Sequence, residues 1–248
     1  MSEADELCYV YGITYDGVKL PEGVDGLDDR PIDLVRDGVL AAVVSDVASG
    51  HRIGRKAQLL AHCRVLDALA SQAAVIPLRF GTVVAGRAAV AEDLLEAQAE
   101  RFKAILEQLD GRSQFTLRAR YDEERVLTEI VAEDPRVAEL REQTRGRPED
   151  STMNARIQLG ELVSSALTRK REVDTPAVLE PIASHAAAYS MREGRGGVDQ
   201  LVDVAFLVED DKRSEFDRAA ESVARALTGR VRLQLMGPTA PYDFVPEG

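Results

Sequence analysis

Leu7 to Thr14 is almost continuously apolar and rich in β-branched and aromatic residues, which predicts a strand covered on both faces. Asp16 to Pro31, carrying Gly, Asp and Pro, predicts a loop, and Val39 to Val47 a second strand of the same kind. From Arg55 to Ala73 the period changes to that of a helix, with Leu59, Cys63, Leu66 and Ala70 on one face. Val75 to Val84 reads as a strand whose start Pro77 demotes to an edge or irregular position. A longer helix is predicted from about Arg87 to Leu109, with Leu95, Phe102, Leu106 and Leu109 in one stripe and Gly111 ending it. Phe115, Leu117, Ala119 and Tyr121 then alternate with Thr116, Arg118 and Arg120, the mark of a half-buried strand.

The second half opens with charged helical segments broken at Pro135 and at Gly146-Arg147-Pro148. Ser151 is placed to cap a helix carrying Met153, Ile157, Gly160, Val163 and Leu167. Thr175-Pro176 reads as cap and first turn of another, with Val178, Ile182 and Tyr189 inward. A hairpin is expected around Gly194-Arg195-Gly196-Gly197, leading into Val202, Val204, Phe206 and Val208. A helix with Phe216, Ala220, Val223 and Leu227 on one face, ended by Gly229, precedes the alternating strand Val231, Leu233, Leu235. Helices and strands mix without a βαβα rhythm, so the class expected is α+β. Two domains are expected, 1–121 and 122–248, the second with inserted helices and an extended Pro-rich tail from Gly237.

Composition narrows the function classes. The net charge is -12, with 14 basic and 18 acidic residues up to Tyr121 and 17 and 25 beyond it, so neither half is basic. Phosphate backbones would be repelled on average, and nucleic acid is not an expected partner. No apolar run approaches the ~20 residues that span a bilayer, and the acidic start lacks the basic region of a signal peptide. A cytoplasmic, soluble protein is expected, without membrane binding. Cys8 and Cys63 lie in apolar stretches and make neither a disulfide framework nor a zinc site.

The search for chemistry finds none. His51, His62 and His185 lack companions at metal-ligand spacing and read as ordinary histidines. Gly194-Arg195-Gly196-Gly197 leads into a strand, whereas a phosphate loop would open a helix. The acids of Glu209-Asp210-Asp211 fit the positive end of the following helix, and Ser214 with Asp217 fits a cap. No G-x-S-x-G, H-E-x-x-H or Walker pattern occurs, so no enzyme, cofactor, metal or small-molecule substrate is expected. Two segments differ from generic core. In Val75-Ile76-Pro77-Leu78-Arg79-Phe80-Gly81-Thr82 a Pro, an Arg and a Gly interrupt a buried-type strand, as in an edge strand with a bulge or in a binding strand. In the tail from Leu235 to Pro246, three prolines favour an extended path while Tyr242 and Phe244 offer apolar area, for packing on the chain's own body or on a partner.

These two segments and the opening Tyr9-Val10-Tyr11-Gly12-Ile13 carry a resemblance. Ile76 to Thr82 resembles the motif that follows the first long helix in the gas vesicle GvpL/GvpF family. Gly237-Pro238-Thr239-Ala240-Pro241-Tyr242-Asp243-Phe244 resembles that family's closing G-P-x-x-P-Y-x-F, with Thr239-Ala240 where an aromatic residue is often found. The motifs occur in the expected order over nearly the whole chain. The resemblance implies an accessory protein of gas vesicle assembly, located with the vesicles, binding the hydrophobic shell protein or other vesicle accessory proteins. It also implies two α+β domains of ferredoxin-like character, and no catalytic residues. The partner-binding candidates are Pro77, Arg79, Phe80 and Gly81, with Gly237, Pro238, Pro241, Tyr242 and Phe244 of the tail. The competing reading is a small-molecule-binding or regulatory α+β protein, which a compact apolar pocket with converging polar groups would favour.

Overall fold

The computed structural model describes residues 6–192 and 197–246. It is an α+β structure with two antiparallel sheets, as the mixed periodicities predict. The chain divides into two compact units. The first runs as far as Phe115 and includes Leu207–Asp210 and the segment from Met236; the second holds Thr116–Phe206 and Asp211–Leu235.

In the first unit, strands β1 (Glu6–Tyr15), β2 (Asp33–Asp37) and β3 (Leu40–Ala48) precede helix α1 (Lys56–Ala70). Strands β4 (Val75–Pro77) and β5 (Val83–Val84) follow. A helical run then passes through α2 (Gly86–Ala89), a π turn at Val90–Leu95 and a 3-10 turn at Glu96–Gln98 into α3 (Ala99–Leu109). The sheet order is β2-β3-β1-β4, with β5 also pairing β1. Both faces of β1 are covered, as its unbroken apolar run predicts. Tyr9 and Tyr11 belong to a core with Val65, Leu66 and Leu69 of α1. Cys8, Val10 and Ile13 belong to another with Val90, Leu95, Phe102, Leu106 and Leu109. The alternation shifts because the β1–β3 register slips between Val10 and Gly12, leaving Tyr11 as the extra residue of a bulge.

This unit departs from the sequence pattern at three places. β2, which is not among the predicted elements, pairs with β3 as a hairpin around Gly38, at φ +57°. Val75 to Val84 is two short strands rather than one: Thr82 N–H donates to the Arg79 carbonyl across a turn in which Gly81 takes φ +97°. Helix α1 buries Gln58, Ala61, His62, Val65, Leu66 and Leu69, whereas Leu59 is 43% exposed. Two polar residues on the inward face disguised it. Gln58 accepts the Gly54 and Arg55 N–H groups at the helix start, and His62 bonds to Tyr9.

β6 (Arg112–Tyr121) buries Phe115, Leu117, Ala119 and Tyr121 as its alternation predicts. Helices α4 (Glu123–Glu133), α5 (Pro135–Thr144) and α6 (Glu149–Ala183) are followed by β7 (Ala188–Met191), β8 (Gln200–Glu209), α7 (Arg213–Ala226) and β9 (Val231–Thr239). The sheet order is β7-β8-β6-β9. Most of the turn expected at Gly194-Arg195-Gly196-Gly197 lies outside the described residues. The expected break at Thr175-Pro176 is absent, since α6 continues through both Pro176 and Pro181. Proline removes one helical hydrogen bond, but tertiary anchors hold the helix on either side. Asp174 accepts from Tyr121 O–H (2.7 Å) and Arg230 (2.8 Å), and Val178 and Ile182 are fully buried. Arg230 also grips Glu129, which with Glu133 holds Lys170, so this ion cluster ties α6 to α4.

Ser151 lies inside α6 and donates to the Pro148 carbonyl rather than capping it; Met153 and Ile157 are 62% and 53% exposed. Tyr189, expected inward, is on β7 and 51% exposed. Ser214 likewise is not a cap, because α7 begins one residue earlier, after Lys212.

Tyr11 pins the long loop before β2. Ser45 Oγ–H donates to the Pro31 carbonyl (2.8 Å), so Tyr11 O–H donates to Ser45 Oγ (3.0 Å). The same phenol oxygen accepts Leu27 N–H at 2.8 Å. A side chain at Gly26 would collide with the Tyr11 hydroxyl and with Ser45 Oγ. Tyr11→Phe therefore strands a buried amide, and its expected cost is about 1–3 kcal/mol by urea denaturation. A loss under a few tenths would show that the hydroxyl does not hold the loop.

Candidate functional site

The site candidates of the two motifs lie in the first unit. Leu78 N–H donates to Tyr11 O (2.9 Å) and Val10 N–H to Thr82 O (3.0 Å), so β1 fixes both ends of the turn 79–82. Pro77 is buried opposite Gly12 in β4, while Arg79 and Gly81 are exposed. Gly12 is required there, because a Cβ would sit 2.7 Å from the Ile76 carbonyl oxygen and 2.8 Å from Leu66 Cδ2. Phe80 is half-buried and packs edge-on to Tyr9 and His62, at 6.4 and 5.7 Å between ring centres.

The tail packs on the same unit as a strap. Gly237, at φ +143°, passes so close to Phe115 and the Gln114 carbonyl that a Cβ would lie 2.7 and 2.8 Å from them. Pro238 is exposed, Ala240 and Pro241 are buried, and Ala240 N–H donates to Asp67 Oδ1 (2.9 Å). The buried Gln114 amide reads the next turn, donating to Asp243 Oδ2 (2.7 Å) and accepting Asp243 N–H (3.0 Å). Phe244 and Val245 pack on the core beneath the helical run. Tyr242 tilts over His62, 6.5 Å between ring centres, and its phenol pKa is raised by burial beside Cys63 and Asp67.

Between turn, helices and tail lies an open groove of about 330 Å³. Pro77 and Arg79 meet Tyr242 there, with Val245 and Pro246 of the tail and Leu94, Phe102 and Ile105 opposite. Phe80, Gly81, Gly237, Pro238, Pro241 and Phe244 do not line it; they shape the turn or anchor the strap. The groove's helical wall is not among the candidates from the sequence, because those residues read simply as a helix.

His62, unremarkable in the sequence, sits at the centre of the aromatic cluster. It is 1% exposed, its Nδ1 shares a 2.8 Å hydrogen bond with the Tyr9 hydroxyl, and its Nε2 is buried without a partner. Burial lowers its pKa to about 4 against the weaker upward pull of the Leu78 carbonyl. A neutral imidazole packed among Tyr9, Tyr11 and Phe80 is a core group here. Among the described residues, no group of three or more His, Cys, Asp or Glu gathers as a metal site, and no helix is long and apolar enough to cross a membrane.

These features define a two-unit α+β protein whose first unit carries an open groove beside a buried aromatic cluster. The model of the family "Gas vesicle synthesis protein GvpL/GvpF" matches residues 7–246, and the chain belongs to that family. It is 34% identical over 240 residues to gas vesicle protein F of Streptomyces sp. (strain CB03234), covering 96% of this chain and 98% of that protein. It is 32% identical over 258 residues to gas vesicle protein L of the same strain, covering 97% and 93%. The crystal structure of GvpF from Anabaena sp. PCC7120 superposes with a TM-score of 0.82 at 23% identity, over 98% of this chain and 99% of that one. GvpF from Microcystis aeruginosa gives 0.77 at 21%, over 96% and 98%. The resemblance carried by the three motifs therefore holds, and the role is one related to gas vesicles.

Two outcomes follow from this packing. An unfolded histidine takes up its proton near 6.5 and His62 only near 4, so stability falls as pH drops through that window, by up to about 3 kcal/mol. Urea midpoints at pH 7 and 4.5 should fall further for the wild type than for His62→Gln; equal losses would show that His62 is not held neutral. A chain ending at Met236 loses the apolar contacts of Ala240, Pro241 and Phe244 and leaves Gln114 unsatisfied. It should lose about 3 kcal/mol or more in the same assay, and an unchanged midpoint would show the strap to be dispensable.

Proposed function

We propose that this chain is a non-catalytic accessory protein of gas vesicle assembly that binds the hydrophobic shell protein or another vesicle protein. The carrying observation is that the two sequence motifs, over 150 residues apart, meet at one open groove of mixed apolar and polar lining through Pro77, Arg79 and Tyr242. A subunit destined for an apolar wall is aggregation-prone before it assembles, through unpaired edges and exposed apolar faces. An acidic partner covering such a surface would keep it soluble until assembly.

Affinity capture from cells co-producing the other vesicle proteins tests this reading. Recovery of the shell protein or another vesicle protein is expected, and recovery of none under mild conditions would refute it. The turn should separate stability from binding. Phe80→Ala removes a half-buried ring and is expected to cost roughly 2–3 kcal/mol, less than the ~3–5 of a fully buried one. Arg79→Ala is expected to stay within about 0.5 kcal/mol of wild type and yet to reduce capture. Equal stability losses would make Arg79 a structural residue.

A further inference from the structure

We infer that β9 is a pairing edge for a second copy of this chain, the two β9 strands joining antiparallel about a two-fold axis through Gln234. In the sheet order β9 lies outside β6, and among the described residues no strand lies beyond it. Its register on β6 is fixed at both ends. Asp122 N–H donates to the Arg230 carbonyl (2.8 Å), and a Cβ on Gly237 would lie 3.1 Å from Phe115 Cα. Both place β9 at one antiparallel offset along its length. Arg230, Arg232 and Gln234 therefore turn their backbone groups to β6, and Val231, Leu233 and Leu235 turn theirs outward.

The ends of this edge are closed and its middle is open. Val231 N–H is taken by the Leu227 carbonyl (2.9 Å). Gly237, at φ +143° and followed by Pro238, ends the regular strand. Among the described residues, no hydrogen bond reaches the Leu233 or Leu235 backbone from the outer side. Their side chains are not sealed either, since Leu233 is half-buried and Leu235 is 36% exposed. An open stretch of this kind is a template for another strand.

The occupant is a second copy because the open stretch is complementary to itself. With the axis through Gln234, Leu233 of one copy and Leu235 of the other exchange both hydrogen bonds, and symmetry repeats the pair. On one face the leucines pack in cross-strand pairs. On the other the two Gln234 amides meet, each with a donor and an acceptor to offer. Arg232 then faces Met236 of the other copy, so no like charges oppose. The neighbouring registers fail. An axis at Leu233 sets the Leu235 carbonyl against the Val231 N–H that Leu227 already holds. An axis at Leu235 requires Gly237 as a regular partner, and one at Arg232 sets two arginines face to face.

The charge of -12 on each copy opposes association at long range, so the test is run in about 300 mM salt, which screens it. Sedimentation equilibrium of the full 27.1 kDa chain should show dimers, with Kd on the order of 10–100 µM for so small a contact. Leu233→Pro removes an N–H that faces away from β6. Its circular dichroism should match wild type while Kd rises about tenfold or more. The register is read without a proline, so it stands even if that variant unfolds. Residues opposed at a non-hydrogen-bonded position have Cβ atoms about 4.5–5.5 Å apart, close to disulfide reach. Gln234→Cys should therefore oxidise to a disulfide-linked dimer above the wild-type background from Cys63. Arg232→Cys, also exposed, should not, because its two copies lie on opposite sides of the axis. A chain still monomeric at about 300 µM, several times the expected Kd, overturns the inference. So does a dimer that Leu233→Pro leaves intact, or equal cross-linking at positions 232 and 234. If a monomeric chain captures a vesicle protein and Leu233→Pro abolishes that capture, the edge serves another partner and self-pairing is refuted. None of the sedimentation or cross-linking results bears on the vesicle role, which the capture experiment tests separately.

Discussion

The bulge at Tyr11 is the constraint on which the first unit depends. A regular strand would point Tyr9, Tyr11 and Ile13 to one side. With one residue inserted, the two tyrosines face α1 while Ile13 returns to the face of Cys8 and Val10, beneath the helical run. A single strand thereby feeds two cores, and its phenols reach two distant backbone segments. Tyr11 holds Leu27, and the Tyr9 oxygen accepts Gly81 N–H at 3.2 Å. Burial raises both phenol pKa values, so both stay neutral donors over any ordinary pH range. Gly12 then allows β4 and Leu66 to close on the strand just after the bulge.

The tail uses the same division of labour between apolar area and polar placement. Ala240, Pro241, Phe244 and Val245 supply contact area but could slide along a smooth apolar surface. Asp67 and Gln114 remove that freedom, because each reads a backbone N–H of one particular residue, Ala240 and Asp243. Burial pushes the Asp67 carboxyl pKa up, and the Ala240 N–H opposes the shift. A buried acceptor left without its donor costs about 1–3 kcal/mol, so one misplaced residue in the tail would be felt.

What could be read from the sequence follows from the range of the physics involved. Strands buried on both faces advertise themselves as apolar runs, and Leu95, Phe102, Leu106 and Leu109 declare their helix face directly. The inward face of α1 was misassigned because Gln58 and His62 are buried by hydrogen bonds, which no hydrophobic pattern records. Pro176 looked like a helix start because local propensity favours one; Asp174, Tyr121 and Arg230 override it from elsewhere in the chain. The two candidate segments were legible as unusual, and their composition allowed both packing and binding. Their meeting was not, since it depends on contacts such as Asp67 with Ala240, across 173 positions. The groove's helical wall, from Leu94 to Ile105, could not be singled out either, because in the sequence it reads simply as part of a helix.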